Sequence, residues 1–384
     1  MKNLILLSAS LLLLGTACKK ENKAPTPAPA PNSPAALAPQ PFTIVPNGSF
    51  SKSGNNADIY CTVEYNGALY IGGDFSIAGG IVANNIVKWD GTNWFVLGSG
   101  LRDTVSSGAY VSSMCVYNGE LYVSGNFSSA GGVSCSGLAK WNGTSWSVLP
   151  NFYSHPVSYI NGSYNNLIVF NNKLVIGGKY TWNGSIVDTL TNTSRISNGG
   201  NLVIFNGNLY GSISFGNGLK FSKWNGLNWI DIEGVVAQGN SNQILSVLVF
   251  NNELYVNGDI KSIGGIAINN QMAKWNGASW STVNTPQTSA TPTNPSYYLN
   301  IGWTRTMSMC VYNNCFYINE MHNSSNTTNY THGIAKWDGT NWSQLGKHND
   351  PIYHTFIYNN LIFAFSSLFL SSGNGNPQLM YTQP

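Results

Sequence analysis

Residues 63–75 read VEYNGALYIGGDF, and residues 87–97 read VKWDGTNWFVL. In each stretch two apolar runs flank a pair of turn-forming residues, Asn66-Gly67 in the first and Asp90-Gly91 in the second. Such a pair between two apolar runs predicts a β-hairpin, because the tight turn needs positive φ angles that Asn and Gly tolerate. The two stretches together therefore predict four short antiparallel strands.

The first of these motifs, an aromatic residue followed by Asn and then Gly or Asn, occurs seven times. The copies begin at Tyr65, Tyr117, Phe170, Phe205, Phe250, Tyr312 and Tyr358. The second motif recurs from Lys88, Lys140, Lys223, Lys274 and Lys336. A four-stranded unit repeated at this spacing is typical of a propeller blade. The sequence therefore predicts an all-β fold, a seven-bladed β-propeller of four-stranded antiparallel blades over residues 42–384.

The third and seventh copies depart from the pattern. In the third, Trp182-Asn183-Gly184 is the remnant of the second motif, and the loop between the second and third strands is deleted. The seventh copy ends in residues 378–381, which supply a third strand only. We expect its fourth strand to come from residues 42–45, so that the start of the domain completes the last blade and removes open sheet edges.

The fuller repeat resembles those of the kelch family and of bacterial surface propellers. The resemblance covers about residues 42–384 and rests on Gly72-Gly73-Asp74-Phe75, Ala78-Gly79-Gly80, Trp89-Asp90-Gly91 and Trp94. It implies the propeller fold without implying an activity, because the same fold carries many functions.

The N-terminus predicts export. Lys2 precedes an apolar run over residues 4–14 that is too short to span a bilayer, which indicates a signal peptide over residues 1–17. The small residues before Cys18 resemble a bacterial lipobox, which implies a lipidated Cys18 that anchors the protein to the bacterial outer membrane, periplasmic or surface-exposed. The alternative is an ordinary signal peptide with an incidental Cys. Residues 18–41 are rich in Pro and Ala and favour a polyproline spacer.

Composition excludes some classes of partner. Only 9% of the residues are charged, with 18 Lys and Arg against 15 Asp and Glu, and the charges balance once residues 1–41 are set aside. A nucleic-acid binder needs a basic surface that this sequence lacks. No Cys or His spacing suits zinc, and we expect no cofactor and no metal. Cys115 and Cys310 share one repeat position and are expected to be small buried strand residues rather than a disulfide.

Binding residues are expected on the long connections. The turns of the two motifs are short, whereas the loops between second and third strands and the connections between copies are long and share the opposite face. Long loops on a rigid scaffold carry most binding sites. Two connections are rich in aromatic and polar residues that can stack on sugars or hold peptide: Tyr153, His155, Tyr159, Tyr297, Tyr298, Trp303 and Arg305. The alternative is that these aromatics pack the loops against the blades.

Catalytic patterns are sparse. A sialidase needs three clustered arginines, and Arg102, Arg195 and Arg305 fall in or near different connections. His322 and His332 share one predicted loop, where solvated residues are the simpler interpretation than a metal site. The sequence favours a non-catalytic binding or scaffolding module for a glycan, peptide or protein partner. The alternative is an extracellular polysaccharide hydrolase or lyase on a propeller scaffold.

Overall fold

The computed structural model describes residues 42–53, 56–104, 108–150, 166–190, 196–215, 219–233, 235–237, 243–268, 272–283, 308–323, 330–348, 350–367 and 376–384. The chain divides into two units, Met1–Leu37 and Ala38–Pro384, and all of these ranges belong to the second. They form strands and connections, and no helix occurs among them. A helix long and apolar enough to cross a membrane is likewise not found in these ranges.

The strands are short. In the first part of the unit they are β1 (Thr43–Ser51), β2 (Asp58–Tyr65), β3 (Ala68–Asp74), β4 (Ile77–Ala78), β5 (Ile81–Val82), β6 (Ile86–Trp89), β7 (Trp94–Phe95), β8 (Leu101–Arg102), β9 (Tyr110–Tyr117), β10 (Glu120–Asn126), β11 (Ser129–Ala130), β12 (Val133–Ser134), β13 (Leu138–Trp141) and β14 (Trp146–Ser147). The middle part holds β15 (Leu167–Phe170), β16 (Lys173–Ile176), β17 (Tyr180–Trp182), β18 (Val187–Thr189), β19 (Ile196–Phe205), β20 (Asn208–Phe215), β21 (Leu219–Trp224) and β22 (Trp229–Glu233). The last part holds β23 (Val235–Ala237), β24 (Gln243–Phe250), β25 (Glu253–Ile263), β26 (Ile266–Ala267), β27 (Met272–Trp275), β28 (Trp280–Thr282), β29 (Met309–Tyr312), β30 (Cys315–Asn323), β31 (Tyr330–Trp337), β32 (Trp342–His348), β33 (Ile352–Tyr358), β34 (Leu361–Ser367) and β35 (Pro377–Thr382).

The four-stranded repeat predicted from the sequence is present as antiparallel sheets. In chain order the four-stranded units are β2-β3-β6-β7, β9-β10-β13-β14, β15-β16-β17-β18, β19-β20-β21-β22, β24-β25-β27-β28, β29-β30-β31-β32 and β33-β34-β35-β1. The short strands β4 and β5 continue the last of these beyond β1, β23 and β26 pair with β25, and β8, β11 and β12 form a separate three-stranded sheet. We refer to the four-stranded units as the first to seventh sheets. The third sheet has the expected tight connection, because β16 ends at Ile176 and β17 begins at Tyr180.

The seventh sheet confirms the prediction for the start of the domain. Strand β1 pairs with β35 through Thr43 and Tyr381 and through Ile44 and Met380. Phe50, near the end of β1, is fully buried against Phe75 and Phe365, with ring centroids 5.1 and 5.4 Å away. The beginning and the end of the domain therefore form one sheet, which leaves β35 without an open edge.

The apolar core lies between consecutive sheets. In the described residues it forms seven clusters: six are each shared by two sheets that follow one another in the chain, and one is shared by the seventh and first sheets. The cluster of the seventh and first sheets packs Phe363 on Trp89, with ring centroids 5.6 Å apart. Burial of one such side chain contributes roughly 2–3 kcal/mol. Face-to-face packing of successive sheets is therefore the main stabilising interaction of the unit.

The first strands of the sheets also contact one another in a closed cycle, from β2 through β9, β15, β19, β24, β29 and β33 back to β2. Four positions before the aromatic of the first motif, every copy has a polar residue or Cys: Cys61, Ser113, Asn166, Asn201, Ser246, Ser308 and His354. We call these residues the inner polar belt. The Leu167 N–H donates to Ser113 Oγ at 3.0 Å, and Ser308 Oγ donates to the Thr355 carbonyl at 2.8 Å. The belt thus satisfies backbone groups at the edge of the next first strand.

His354 is the belt residue between the seventh and first sheets. Its Nε2 lies 3.2 Å from Thr62 Oγ1. Phe356 and Phe365 flank the imidazole, with ring centroids 5.7 and 6.1 Å away. Burial in this apolar surrounding lowers the pKa of His354 from 6.5 to about 4, so the ring is neutral at pH 7.

Candidate functional site

The two ends of the strands are built differently. At one end lie the first-motif turn of every sheet and the second-motif turn of the first six sheets, and we call it the short-turn end. In the first motif the Asn residues have φ between 47° and 50°, and the residues after them have φ between 55° and 75°, in all seven copies. This confirms the predicted tight hairpins, since two consecutive positive φ angles define a type I′ turn.

The second motif also ends in a turn fixed by side chains. Asp90 Oδ1 accepts hydrogen bonds from the N–H groups of Thr92 at 2.8 Å and Asn93 at 2.7 Å. The same bonds form at Asn142, Asn183, Asn225, Asn276 and Asp338. The donors from Asn93 and Thr92 hold the pKa of Asp90 below its usual value. These side chains are therefore committed to the fold.

The opposite end of the strands, the long-loop end, carries the connections. Three connections between successive sheets pair with the hairpin that follows the second strand of the next sheet. The pairs are Phe50 with Ala78, Leu101 with Ala130 and Val235 with Ile263. The connections and the second-to-third loops thus lie together in these sheets, as the sequence analysis expected.

Aromatic and acidic side chains from three different sheets meet at this end. We call Asp58, Tyr60, Asp74, Tyr110 and Tyr353 the tyrosine–aspartate cluster. They lie at or near the long-loop ends of β2, β3, β9 and β33, which belong to the first, second and seventh sheets. The cluster is accessible, because Asp58 is exposed and its other members are half-buried. It is the place where the described residues bring together aromatic rings and carboxylates from different sheets.

The aromatic members contact each other and one carboxylate. Tyr60 and Tyr110 pack edge to face with ring centroids 5.8 Å apart. The Tyr60 hydroxyl donates to Asp58 Oδ2 at 3.4 Å. Burial, followed by the charges of Asp58 and Tyr60, raises the pKa of Tyr353 well above its usual value. Burial and the charge of Asp74 raise the pKa of Tyr110. Both tyrosines therefore keep their protons at neutral pH.

The two carboxylates face each other across one strand pair. Asp58 in β2 is the register partner of Asp74 in β3, and like charges in that arrangement repel. Lys52, which follows β1, offsets the repulsion through an ion pair to Asp74 at 2.6 Å. Its side chain and that of Asp74 are each 20% exposed. Two carboxylates and one ammonium give these groups a formal charge of minus one.

This arrangement suits the recognition of a polyhydroxylated ring. Tyrosine presents a large apolar face together with a polar hydroxyl, and each carboxylate is a strong hydrogen-bond acceptor. A sugar offers C–H groups to the first and hydroxyl donors to the second. The cluster is also formed by packed strands rather than by loops, so it is preorganised for binding.

None of the site residues predicted from the sequence belongs to the described ranges. Cys18, Tyr153, His155, Tyr159, Tyr297, Tyr298, Trp303 and Arg305 all fall outside the described residues. Arg102 is exposed on β8, whereas Arg195 and Arg305 lie outside the described residues.

One prediction about the histidines is wrong. His322 and His332 were expected in a single loop, but the structure places them on the strands β30 and β31, with register partners Thr331 and Met321. The hairpin of the sixth sheet extends further than its apolar pattern indicates, because β30 runs to Asn323 and β31 begins at Tyr330. Within the described ranges no group of three or more His, Cys, Asp or Glu side chains is arranged to hold a metal ion.

Cys115 lies on β9 and Cys310 on β29, as expected of strand residues, but both are half-buried rather than buried. Cys61, Cys115, Cys135, Cys310 and Cys315 are all unpaired thiols in the described residues. Burial raises the pKa of Cys115 to about 11 and that of Cys310 to about 12. Phe75 and Phe127, which recur at one repeat position, are buried core residues.

Sequence reasoning missed the tyrosine–aspartate cluster because it sought aromatics in the connections. A signal was nevertheless present in the aligned repeats. Five positions before the aromatic of the first motif stand Tyr60 and Tyr353, where the other copies have Ser112, Asn165, Gly200, Leu245 and Met307. An aromatic residue that appears in two of seven copies marks a local specialisation rather than a requirement of the repeat.

Neither a protein-family model nor a curated protein sequence matches the chain. Among solved structures it is similar to the phage phi92 endosialidase, at 10% identity, over 89% of this chain and 69% of that chain, with a TM-score of 0.43. It is also similar to PorZ, a bacterial surface component of the type-IX secretion system of Porphyromonas gingivalis, at 11% identity, over 86% of this chain and 50% of that one, with a TM-score of 0.26. The GH43 endo-arabinanase from Bacillus licheniformis aligns at 16% identity over 87% of this chain and 96% of that chain, with a TM-score of 0.30. Two of the three are named as glycan-acting enzymes, and at these TM-scores none of them assigns an activity to this chain.

Proposed function

We propose that the seven sheets are the blades of one seven-bladed, kelch-like β-propeller over residues 42–384. The support is the cyclic order of their packing. Each apolar cluster joins two consecutive sheets, and the cluster containing Phe363 and Trp89 joins the last to the first. The Tyr358 hydroxyl, in the seventh sheet, donates to the Gly67 carbonyl of the first at 3.3 Å. Closure of this kind removes open sheet edges.

The proposal includes export and anchoring. Residues 1–17 act as a signal peptide, Cys18 receives the lipid, and residues 18–41 hold the propeller off the bacterial outer membrane, periplasmic or surface-exposed. Metabolic labelling with an alkyne-bearing fatty acid tests this. The full chain should incorporate the label and Cys18→Ser should not. Labelling of the Cys18→Ser variant would contradict the assignment of Cys18.

The propeller acts as a non-catalytic module that binds a glycan through its long-loop end. The single observation that carries this is the tyrosine–aspartate cluster, in which Tyr60 and Tyr110 pack beside Asp58 at an accessible strand end. Aromatic faces beside hydrogen-bond acceptors complement the two surfaces of a sugar ring. Trp303 and the other aromatic residues of the two long connections are also proposed to take part in binding.

A glycan array probed with the full-length protein in detergent tests this function. We expect binding to at least one neutral oligosaccharide, with a loss of about tenfold in Tyr60→Ala and in Tyr110→Ala. Such losses match the removal of one stacked aromatic, roughly 1–2 kcal/mol. Thr92→Ala, at the short-turn end, is the matched control and should bind like the wild type. Absence of binding to every glycan would refute the function and move the proposal to a peptide or protein partner.

A second candidate is a polysaccharide hydrolase or lyase. The observation that favours it is the cross-strand pair of Asp58 and Asp74, since two carboxyl groups roughly 5 Å apart can hydrolyse glycosidic bonds with retention. The ion pair between Lys52 and Asp74 opposes this role, because Lys52 already occupies one of the two carboxylates. The assay measures the release of reducing ends from polysaccharides. If the wild type releases them and Asp58→Asn does not, the protein is an enzyme and the proposal of a non-catalytic module is wrong.

A further inference from the structure

We propose that the propeller presents its long-loop end away from the membrane that anchors it. The tyrosine–aspartate cluster then takes glycans of the surrounding solution or of another surface, rather than glycolipids of its own membrane. This inference rests on the proposed anchor and on the proposed glycan-binding function, and it assigns the source of the ligand for that same site.

Strand β35 runs from the long-loop end of the seventh sheet to the short-turn end. Its first residue, Pro377, pairs with Ser367 at the end of β34, and its last residue, Thr382, pairs with Ile362. Ile362 follows the first-motif turn of the seventh copy by two residues. Thr382 therefore lies at the short-turn end, where the other six sheets have the second-motif turn.

Strand β1 enters the seventh sheet from the same end. Thr43 pairs with Tyr381, the residue before the end of β35, and β1 then runs antiparallel to β35 as far as Ser51. Ser51 pairs with Ile77 in the hairpin of the long-loop end. The chain that precedes β1, residues 18–41, is therefore joined to the propeller at its short-turn end.

The cluster lies at the other end of the same sheet. Tyr353 stands next to Ile352, which pairs with Ser366 near the end of β34. Strand β34 is seven residues long, so that about 20 Å separate its two ends at about 3.3 Å per residue. The length of the sheet thus lies between the place where the spacer is attached and the cluster.

The composition of the spacer opposes a turn of the propeller towards the membrane. Residues 25–41 contain seven prolines, and Pro41 directly precedes Phe42, without a Gly or Ser between Pro34 and Phe42. Proline-rich spacers are semi-rigid, whereas Gly and Ser make a linker flexible. Phe42 itself packs edge to face on His348 of β32, with ring centroids 6.1 Å apart. The junction between the spacer and β1 therefore has little freedom, and the short-turn end faces the membrane.

This orientation determines which ligands reach the cluster. A short sugar headgroup on a lipid of the same membrane lies on the side of the short-turn end and does not extend past the sheet. A glycan in solution approaches the long-loop end directly, where Asp58 is exposed. The site is therefore suited to a ligand that comes from outside the anchoring membrane.

Energy transfer to the lipid surface measures the orientation. The lipidated full-length protein is reconstituted in phosphatidylcholine vesicles that contain a lipid with an acceptor dye on its headgroup. A donor dye is attached through an unnatural amino acid at Thr92, which is exposed at the short-turn end, or at Val82, which is exposed at the long-loop end. We expect transfer from position 92 to be at least twice as efficient as transfer from position 82. Equal transfer from both positions, or stronger transfer from position 82, would overturn the inference.

Cys18→Ser is the matched control, because it removes the proposed site of the lipid and leaves the propeller unchanged. Neither labelled position should show transfer in this variant. Transfer that persists in Cys18→Ser would refute the proposed anchor. Transfer that is lost in Cys18→Ser but equal for the two positions in the wild-type chain would refute only the orientation.

The source of the ligand is tested on the same vesicles with a neutral glycan found on the array. The glycan is coupled to beads, or it is the headgroup of a lipid in the vesicle membrane. We expect the vesicles to bind the beads, and the glycolipid to reduce this binding by less than twofold. A tenfold reduction would show that the cluster is reached from its own membrane and would overturn the inference, as would binding on the array without binding to the beads. Absence of binding to every glycan on the array would instead refute the proposed glycan-binding function.

Discussion

The short-turn end and the long-loop end of the strands differ in how far the seven copies resemble each other. At the short-turn end all copies use the same Asn at positive φ, and six share the same side-chain bond in the second turn. At the long-loop end the copies diverge, and only there do Asp58, Tyr60 and Tyr110 come together. The comparison shows that the seven copies share one backbone geometry at the short-turn end. At the long-loop end individual copies carry different side chains.

Glycine substitutions at the two ends are expected to differ most in their effect on the free energy of unfolding. A Cβ on Gly73, at the long-loop end, would lie 2.1 Å from the Asp58 carbonyl oxygen, so Gly73→Ala must displace the backbone of β2. We expect a loss of roughly 3 kcal/mol in the free energy of unfolding. Gly67→Ala, at the short-turn end, meets no atom within 4 Å and bears only the strain of its φ of +70°, about 1 kcal/mol. Urea unfolding of both variants measures the difference, and equal losses would contradict the comparison.

A smaller effect is expected from acid, acting through His354 of the inner polar belt. The imidazole is neutral in the folded chain down to about pH 4 and is protonated in the unfolded chain below about pH 6.5. The unfolded state therefore binds more protons between these values, and stability falls as the pH is lowered through that window, by at most about 3 kcal/mol. Thermal melts from pH 7 to pH 4 should show a shallower decline in His354→Asn. An identical decline in the variant would exclude His354 as the cause.

A more modest change tests the turns of the short-turn end. Asn66→Ala places a residue with an ordinary side chain at a φ of 50°, which costs about 1–2 kcal/mol. Asn66→Gly tolerates the same φ and serves as the control, with a loss of less than about 1 kcal/mol. The two variants are compared by chemical denaturation. Because Asn66 is distant from the tyrosine–aspartate cluster along β2, neither variant should alter glycan affinity. A change in affinity would show that the two ends do not act independently.

The smallest effect is expected from a bond between neighbouring sheets. The Tyr65 hydroxyl donates to the Gly119 carbonyl of the second sheet at 2.9 Å. Tyr65→Phe should reduce stability by about 1 kcal/mol, the net contribution of one such hydrogen bond. In the fourth copy the same position is occupied by Phe205, which has no hydroxyl. Phe205→Ala is therefore the contrasting variant, because it removes packing rather than a hydrogen bond. It should reduce stability by about 3 kcal/mol.

The turns of the short-turn end could be predicted from the sequence, whereas the side-chain cluster of the long-loop end could not. The reason is physical. Asn66-Gly67 and Asp90-Gly91 are local signals, because two adjacent residues determine a tight turn. The strand β1 was also predictable, since the seventh copy lacks its fourth strand and residues 42–45 resemble one. These features follow from neighbouring residues or from the count of strands.

The tyrosine–aspartate cluster could not be predicted in this way. Tyr60 and Tyr353 come from opposite ends of the chain and meet only because the seventh sheet packs on the first. The pairing of Asp58 with Asp74 depends on the register of β2 and β3, which shifts by one residue between Ile59 and Cys61. A bulge of this kind reverses which side chains share a face of the sheet. No pattern in the neighbouring residues predicts the bulge.

Hydrogen exchange of the full-length protein with and without its best glycan ligand tests the central claim most directly. If the long-loop end carries the chemistry, the ligand should slow exchange at residues 56–60, 108–112 and 350–354, which contain the cluster. The seven first-motif turns, such as that at Asn66-Gly67, should exchange at unchanged rates. Slowed exchange at those turns, with none at the three long-loop segments, would contradict the account.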